Sequence, residues 1–271
     1  MIRVNGKRIE FSSFPDGTSS FRFDSLSARF SKEVSHFSYI IEWKYDDDKE
    51  CILLWYLTKH IREHDDEAII GLLLPYIPNA RMDRVKHDDE VFTLKWFAEF
   101  INSLAFDKVY VQDPHSNVST ALLDRVSVID IKKQVAEAVE LIKGEEQMDV
   151  LFCYPDEGAA KRYSEQLDGD YVFGIKERDW RSGAIKSVVL TKPERVKGRD
   201  VLIVDDICSR GGTFIGMAKA LKDAGAGDIS LYVTHCENTI YSGSVLTDGL
   251  ISRVFTTDSI YRGDHPMVTV L

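Results

Sequence analysis

The sequence predicts an α/β protein made of two similar domains, each a largely parallel sheet flanked by helices. Three observations predict it. Short apolar runs alternate with helix-periodic runs along most of the chain, as in "VLIVDDICSRGGTFIGMAKALKDAGAGDISLYVTH" (Val201 to His235). Such β-α-β alternation implies parallel strands joined by right-handed crossovers. A pattern then repeats in each half: a strand runs into a charged loop, a helix follows, and a further strand ends near a His, "VQDPH" in one half and "YVTH" in the other. Finally, the polar clusters fall where apolar runs stop, and ligands of parallel sheets sit beyond the carboxyl ends of the strands.

Taken in order, "AIIGLLLPYI" (Ala68 to Ile77) is an apolar strand that ends in a Pro-rich loop. "TLKWFAEFINSLAF" (Thr93 to Phe106) sets Leu94, Phe97, Ala98, Ile101 and Leu104 on one helical face. "KVYVQD" (Lys108 to Asp113) is a strand entering a polar loop. "VLFCYPDEGAAKRYSEQL" reads as strand, loop, helix, and the run from Val201 as strand, loop, helix, turn, strand. The Gly-Ala-Gly after "MAKALKDA" is a helix stop. The tail "PMVTVL" is strand-like. A seam is expected within Ser127 to Asp149, giving domains over 1–130 and 131–271.

Composition excludes several function classes. A net charge of −10, with no Lys/Arg run, argues against a nucleic-acid partner, because a phosphate backbone recruits basic patches. Cys51, Cys153, Cys208 and Cys236 lie far apart with no CxxC pair, so a structural zinc site is not expected and a reducing compartment is. No apolar run approaches the roughly 20 residues that span a bilayer, and "MIRVNGKRIEFSSF" lacks a signal-peptide core. The expectation is a soluble, cytoplasmic protein.

"VLIVDDICSRGGTF" (Val201 to Phe214) carries the strongest chemistry. An apolar strand is expected to end on two adjacent carboxylates, which are costly if buried unless they meet hydroxyls or a cation. Ser209, Arg210, Gly211, Gly212 and Thr213 follow, offering hydroxyls, a guanidinium and exposed backbone N–H groups at the start of a helix, where an anion is favoured. Together these groups suit a sugar phosphate: carboxylates for ribose hydroxyls, loop amides for the phosphate. The alternative is an acidic strand end and an N-capping Thr with no ligand. The Gly-Lys-Ser/Thr of a Walker loop is absent.

This segment resembles the phosphoribosyl-pyrophosphate loop shared by phosphoribosyltransferases and ribose-phosphate pyrophosphokinases. Further stretches resemble the pyrophosphokinase family in family order: "FPDGT" (Phe14 to Thr18), "PYIPNARMDR" (Pro75 to Arg84), "VQDPHS" (Val111 to Ser116), "YPDEGAAKR" (Tyr154 to Arg162), "IKERD" (Ile175 to Asp179) and "THCENTIYSG" (Thr234 to Gly243). The resemblance implies two phosphoribosyltransferase-like domains. It implies an ATP-dependent transfer of the β,γ-diphosphoryl group to the C1 hydroxyl of ribose 5-phosphate, giving PRPP and AMP, with magnesium as cofactor. It implies Lys176 and Arg178 as catalytic cations, and Asp16, Arg81, Asp83 and His115 as nucleotide-binding residues. His115, oriented by Asp113, and Asp156 serve the metal. Asp205 and Asp206 hold the ribose hydroxyls, and Ser209, Arg210, Gly211, Gly212 and Thr213 the 5-phosphate. Residues two apart on an extended segment face the same way, so Lys176 and Arg178 can address one phosphate. Each piece has a plainer reading: "KERDWR" as a solvated charge run, "DPHS" as a turn with a capping Asp, "NARMDR" as a surface loop. His235 is left as a packed imidazole. The resemblance also implies a homo-oligomer, a dimer or hexamer.

The chain departs from the family pattern at several points. Thr18 stands where the family has Glu, Met82 where it has Gln, Ala159 where it has Gly, and Glu177 where it has Arg. The largest departure is Ser209-Arg210 in place of Asp-Thr. A guanidinium beside the phosphate pocket suits a more anionic acceptor, such as ADP-ribose, whose 5-phosphate is extended. The other reading leaves Arg210 in solvent. A phosphoribosyltransferase does not account for the first-half motifs, and a non-catalytic regulatory relative does not account for the retained Lys176 and Arg178.

Overall fold

The computed structural model describes residues 1–31, 35–144, 149–178 and 185–271; for 176–178 and 185–187 the description is of the backbone. The chain divides into two compact units, Met1–Ile129 and Asp130–Leu271. Among the described residues no helix is long and apolar enough to cross a membrane.

The N-terminal unit begins with β1 (Ile2–Val4) and β2 (Lys7–Arg8), then a separate hairpin of β3 (Phe11–Ser13) and β4 (Ser19–Phe21), then the short α1 (Ser25–Ala28). Four β-strands and three helices follow in strict alternation: β5 (Tyr39–Trp43), α2 (Glu50–His64), β6 (Ile70–Leu74), α3 (Thr93–Ser103), β7 (Lys108–Gln112), α4 (Asn117–Leu122) and β8 (Val126–Ile129). The sheet order is β2-β1-β5-β6-β7-β8. Strands β5 to β8 are parallel neighbours, and β1 adds an antiparallel edge. Because each crossover moves in the same direction, right-handed connections place α2, α3 and α4 on one face. Burial shows this directly. In β5, Tyr39, Ile41 and Trp43 are buried while Ile40 and Glu42 are not fully covered. One core gathers those three with Leu54, Leu57 and Ile61 of α2 and Leu94, Phe97 and Ile101 of α3. The apolar spacing expected of Thr93 to Phe106 is the buried face of α3, continued by Leu104 just past its end.

The C-terminal unit comprises α5 (Lys132–Lys143), β9 (Leu151–Tyr154), α6 (Glu157–Ser164), β10 (Tyr171–Arg178), β11 (Ile185–Leu190), β12 (Val201–Cys208), α7 (Gly212–Asp223), β13 (Ile229–Cys236), β14 (Arg253–Thr256) and β15 (Val268–Val270). Its sheet order is β11-β10-β9-β12-β13-β14-β15, parallel except for the β10–β11 hairpin. Here the strands are buried on both faces. Leu151, Val201 and Ile203 share a core with Phe214, Met217 and Leu221 of α7. Phe152, Leu202 and Val204 share another with Val135 of α5 and Tyr163 of α6. The near-continuous apolar composition of "VLIV" and "ISLYV" follows from this double cover.

The sheet brings one correction. The two acids of "VLIVDD" do not end their strand: β12 continues through Asp205, Asp206 and Ile207 to Cys208, and it still pairs with β13 at Asp205, Ile207 and Cys208. Its pairing with β9 stops at Ile203. The acids therefore lie in the stretch of β12 that has lost its neighbour on one side, which is where charges in a strand are tolerable.

Candidate functional site

The location of the site follows from topology. Strand β9 connects through α6 to β10 on one side, and β12 through α7 to β13 on the other. Between β9 and β12 the direction of winding reverses, and beyond the carboxyl ends of such a pair a crevice opens. Asp205, Asp206 and the loop from Ser209 to Gly212 are at this point.

The two carboxylates differ. Asp206 is 4% exposed, whereas the Asp205 side chain retains 20%. Neighbours on a strand ordinarily face apart, yet both carboxylates approach one nitrogen of Arg162, on α6: Asp206 at 3.2 Å and Asp205 at 3.8 Å. The guanidinium in turn stacks 4.6 Å over the ring of Tyr163. Burial pushes the Asp205 carboxyl well above the usual carboxylate range, the neighbouring Asp206 pushes it further, and Arg162 opposes both.

The loop after β12 is braced from behind. Gly211 has φ +74° and is the residue that caps α7; a Cβ there would collide with Val245. Gly212, by contrast, has open space where a Cβ would go. No protein contact requires a glycine at 212, and that space is where an anion can reach the first-turn N–H groups of α7, which have no intrahelical acceptor. Thr213 does not act as the helix cap: Gly211 holds that position, and no side chain caps the helix. Ser209 Oγ lies 3.0 Å from Thr239 Oγ1, which donates to Glu237 at 2.9 Å. The Glu237 amide donates to the Cys208 carbonyl at 2.8 Å. A Cβ on Gly243 would collide with the Arg210 carbonyl. The stretch "THCENTIYSG" thus forms the loop's rear wall. Arg210 itself is exposed, and no ion pair is formed by its side chain among the described residues. His235 is 2% exposed with Nδ1 2.8 Å from Ser259 Oγ, a packed imidazole.

Asp156 is the N-cap of α6 and accepts from the Ala159 amide at 3.1 Å. It also lines a cleft of about 380 Å³ with Glu157, Phe173, Gly174 and Ile175. Gly174 lets α7 pack on β10, since a Cβ there would collide with Met217. Lys176 and Arg178 belong to the end of β10, which pairs with β11 through a register slip between Glu177 and Arg178. The side chains of both lie outside the described residues, as does Asp179.

In the N-terminal unit, "FPDGT" forms the tip of the β3–β4 hairpin. Asp16 accepts from the Thr18 hydroxyl at 2.7 Å and from its amide at 2.9 Å, and these bonds hold its carboxyl below the usual range. The loops after β6 and β7 are neighbours, the Gln112 amide donating to the Pro75 carbonyl at 3.1 Å. Arg81 is exposed and Asp83 half-buried on the first loop; on the second, Asp113 is buried with φ +40° and His115 is half-buried. Arg81, Asp83 and His115 therefore share the carboxyl edge of one sheet, while Asp16 is on the hairpin.

Arg162 and the Glu237–Thr239 pair were not among the residues expected to matter. Both lie inside quoted motifs, but their partners are 30 or more positions away in the chain, at Ser209 and Asp206.

Comparison with known proteins adds the following. The family model of the phosphoribosyl transferase domain matches residues 120–258. A ribose-phosphate pyrophosphokinase of Pyrococcus abyssi is 30% identical over 251 residues, covering 91% of this chain and 79% of that protein. One of Sulfurisphaera tokodaii is 28% identical, covering 100% of this chain and 90% of that protein. The crystal structure of phosphoribosylpyrophosphate synthetase from Mycobacterium smegmatis superposes with a TM-score of 0.72 at 20% identity, over 97% of this chain and 85% of that one, which speaks to the fold.

Proposed function

This chain belongs to the ribose-phosphate pyrophosphokinase family, a class of pyrophosphokinase transferases, and from that premise we propose that it makes PRPP and AMP from ATP and ribose 5-phosphate. The observation that carries the reading is the union, at the β9–β12 switch point, of a carboxylate pair with a helix-opening glycine whose missing Cβ leaves room for an anion. In the reaction the C1 oxygen attacks the β-phosphorus, the bond from that phosphorus to the α,β-bridging oxygen breaks, and AMP leaves. The C1 hydroxyl proton is lost to solvent.

Negative charge on the phosphates is the main obstacle, so positioning and cations dominate. Asp205 accepts from the ribose hydroxyls, and the amides of Gly212 and Thr213 with the Ser209 hydroxyl bind the 5-phosphate. To donate to that phosphate Ser209 must release Thr239. Lys176 and Arg178, at the end of β10, neutralise the transferred group. Arg81, Asp83 and His115 address the nucleotide from the carboxyl edge of the N-terminal sheet, and Asp16 addresses it from the hairpin. The donor set is one of oxygens and an imidazole, and among the described residues no three metal-ligating side chains cluster. Such a set fits magnesium, which is held chiefly through substrate phosphates and waters. Asp156 and His115, each within its own unit, would contact a magnesium ion or its waters, and such an ion would screen phosphate charge.

One observation favours a second acceptor. Exposed Arg210 sits beside the phosphate-binding amides, and Tyr241, two residues before the glycine that braces it, is 46% exposed. A second phosphate and a base could occupy them, as in ADP-ribose. Incubation with ATP, magnesium and a panel of ribose phosphates, read by mass analysis, tests both. AMP with PRPP supports the first reading, AMP with a diphosphorylated ADP-ribose the second, and no AMP with any acceptor overturns the assignment. The homo-oligomer and the cytoplasmic setting belong to the same proposal, and sedimentation of the purified chain tests the former.

A further inference from the structure

The pair Asp205-Asp206 need not act as two equivalent acceptors. Three observations separate them. Asp206 is buried and nearer Arg162, 3.2 Å against 3.8 Å for Asp205. Asp205 keeps the greater exposure, 20% of its side chain. Finally, Arg162 is itself fixed: α6 carries it, Asp156 caps that helix, and the guanidinium stacks on the Tyr163 ring. A guanidinium held in this way cannot follow a moving carboxylate, so the carboxylates are drawn to it.

We infer that Arg162 is a positioning residue for the acceptor: it anchors Asp206 beneath the sheet edge, and this leaves Asp205 as the carboxylate presented to the ribose hydroxyls. This rests on the reaction proposed above. The physical reason is charge. Two carboxylates sharing one site repel, and one of them takes up a proton or swings away. A permanent cation beside them offsets part of that repulsion and holds the pair close. Remove the cation, and Asp206 competes with the acceptor for the space and the charge balance around Asp205. Among the described residues the charged groups here include Asp205 and Asp206 from β12 and Arg162 from α6, with the Tyr163 ring behind.

Calorimetric titration of the full chain with ribose 5-phosphate, alongside steady-state kinetics, tests the inference. Arg162→Met should weaken ribose 5-phosphate binding about tenfold or more, the scale of one lost charge-assisted bond, while the KM for ATP changes little. Arg162→Lys should recover some of the loss. The deciding variant adds Asp206→Asn to Arg162→Met. If Asp206 only needs an anchor, neutralising it relieves the repulsion, and acceptor affinity returns toward that of the unaltered chain. If Asp206 itself holds a hydroxyl, affinity falls further, and the inference is wrong. The double variant removes the buried Asp206 charge together with its cation and leaves only the more exposed Asp205 carboxylate, so it remains informative even where Arg162→Met alone fails to fold. Unchanged acceptor affinity in Arg162→Met also overturns the inference. Failure of the unaltered chain to bind ribose 5-phosphate overturns the proposed reaction instead, and this inference with it.

Discussion

The two sheets of this protein are made from similar pieces and wound differently. In the N-terminal unit, β5, β6, β7 and β8 lie side by side in chain order, so their helices cover one face and one core forms. In the C-terminal unit the winding reverses between β9 and β12, helices cover both faces, and two cores form. The reversal is what opens a crevice at the carboxyl end of β12. An unreversed sheet can offer its carboxyl edge, as it does with Arg81, Asp83 and His115, but its neighbouring strands do not diverge around a ligand. The difference teaches why the residues proposed for the acceptor cluster in one short segment and those proposed for the nucleotide are spread over three.

The largest effect expected on activity comes from the C-terminal unit. Lys176→Ala should cut turnover by roughly 10²–10³-fold with an unchanged circular dichroism spectrum, the scale of losing one group that meets transition-state charge. Full activity would detach the chemistry from β10. Stability should then separate the two sheets. In β12, Leu202→Ala and Ile203→Ala point to different cores, and each should cost about 2–5 kcal/mol in urea unfolding. In β5 only Ile41→Ala should cost that much; Ile40→Ala, on the less covered face, should cost less than half. Equal costs at Ile40 and Ile41 would erase the contrast.

Within the loop after β12 the same logic applies to two glycines. Gly211→Ala meets both a positive φ and Val245, and should destabilise by about 1–3 kcal/mol. Gly212→Ala should leave the melting temperature nearly unmoved and weaken ribose 5-phosphate binding, because its Cβ meets only open space. A smaller effect concerns pH. The Asp205 carboxyl is raised in the fold, so its contribution to stability is present below the ordinary carboxylate range and is lost as pH rises through the raised value. Asp205→Asn should therefore raise the melting temperature of the unliganded protein at neutral pH by a few degrees and flatten its decline with pH. A lowered melting temperature would contradict the sign. The smallest effect is expected in the N-terminal hairpin. Thr18→Val removes the hydroxyl that holds Asp16 and should shift nucleotide affinity while scarcely changing thermal unfolding.

The alternation of elements was legible because each is long enough to show its period: α3 buries the face its apolar spacing marks, and "VLIV" is the two-faced strand its composition suggests. The run of β12 through its acids was not legible. Asp has low strand propensity, and the reason it is accepted here, the early end of β9, lies about 50 residues upstream. "FPDGT" could be read as a motif but not as a hairpin tip, since the edge-on packing of Phe11 and Phe21 that closes the hairpin spans a stretch without strong alternation. Arg162 was invisible for a related reason. A basic residue at a helix's last turn reads as a response to the helix dipole, and only the fold places it against β12.

The contact between Gly243 and the Arg210 carbonyl has a further consequence. It pins the main chain of the phosphate loop while leaving the side chains at 209 and 210 unconstrained by it. Acceptor preference is then open to redesign at position 210 without the surrounding main chain having to adjust, whereas position 209 is tied in addition to Thr239.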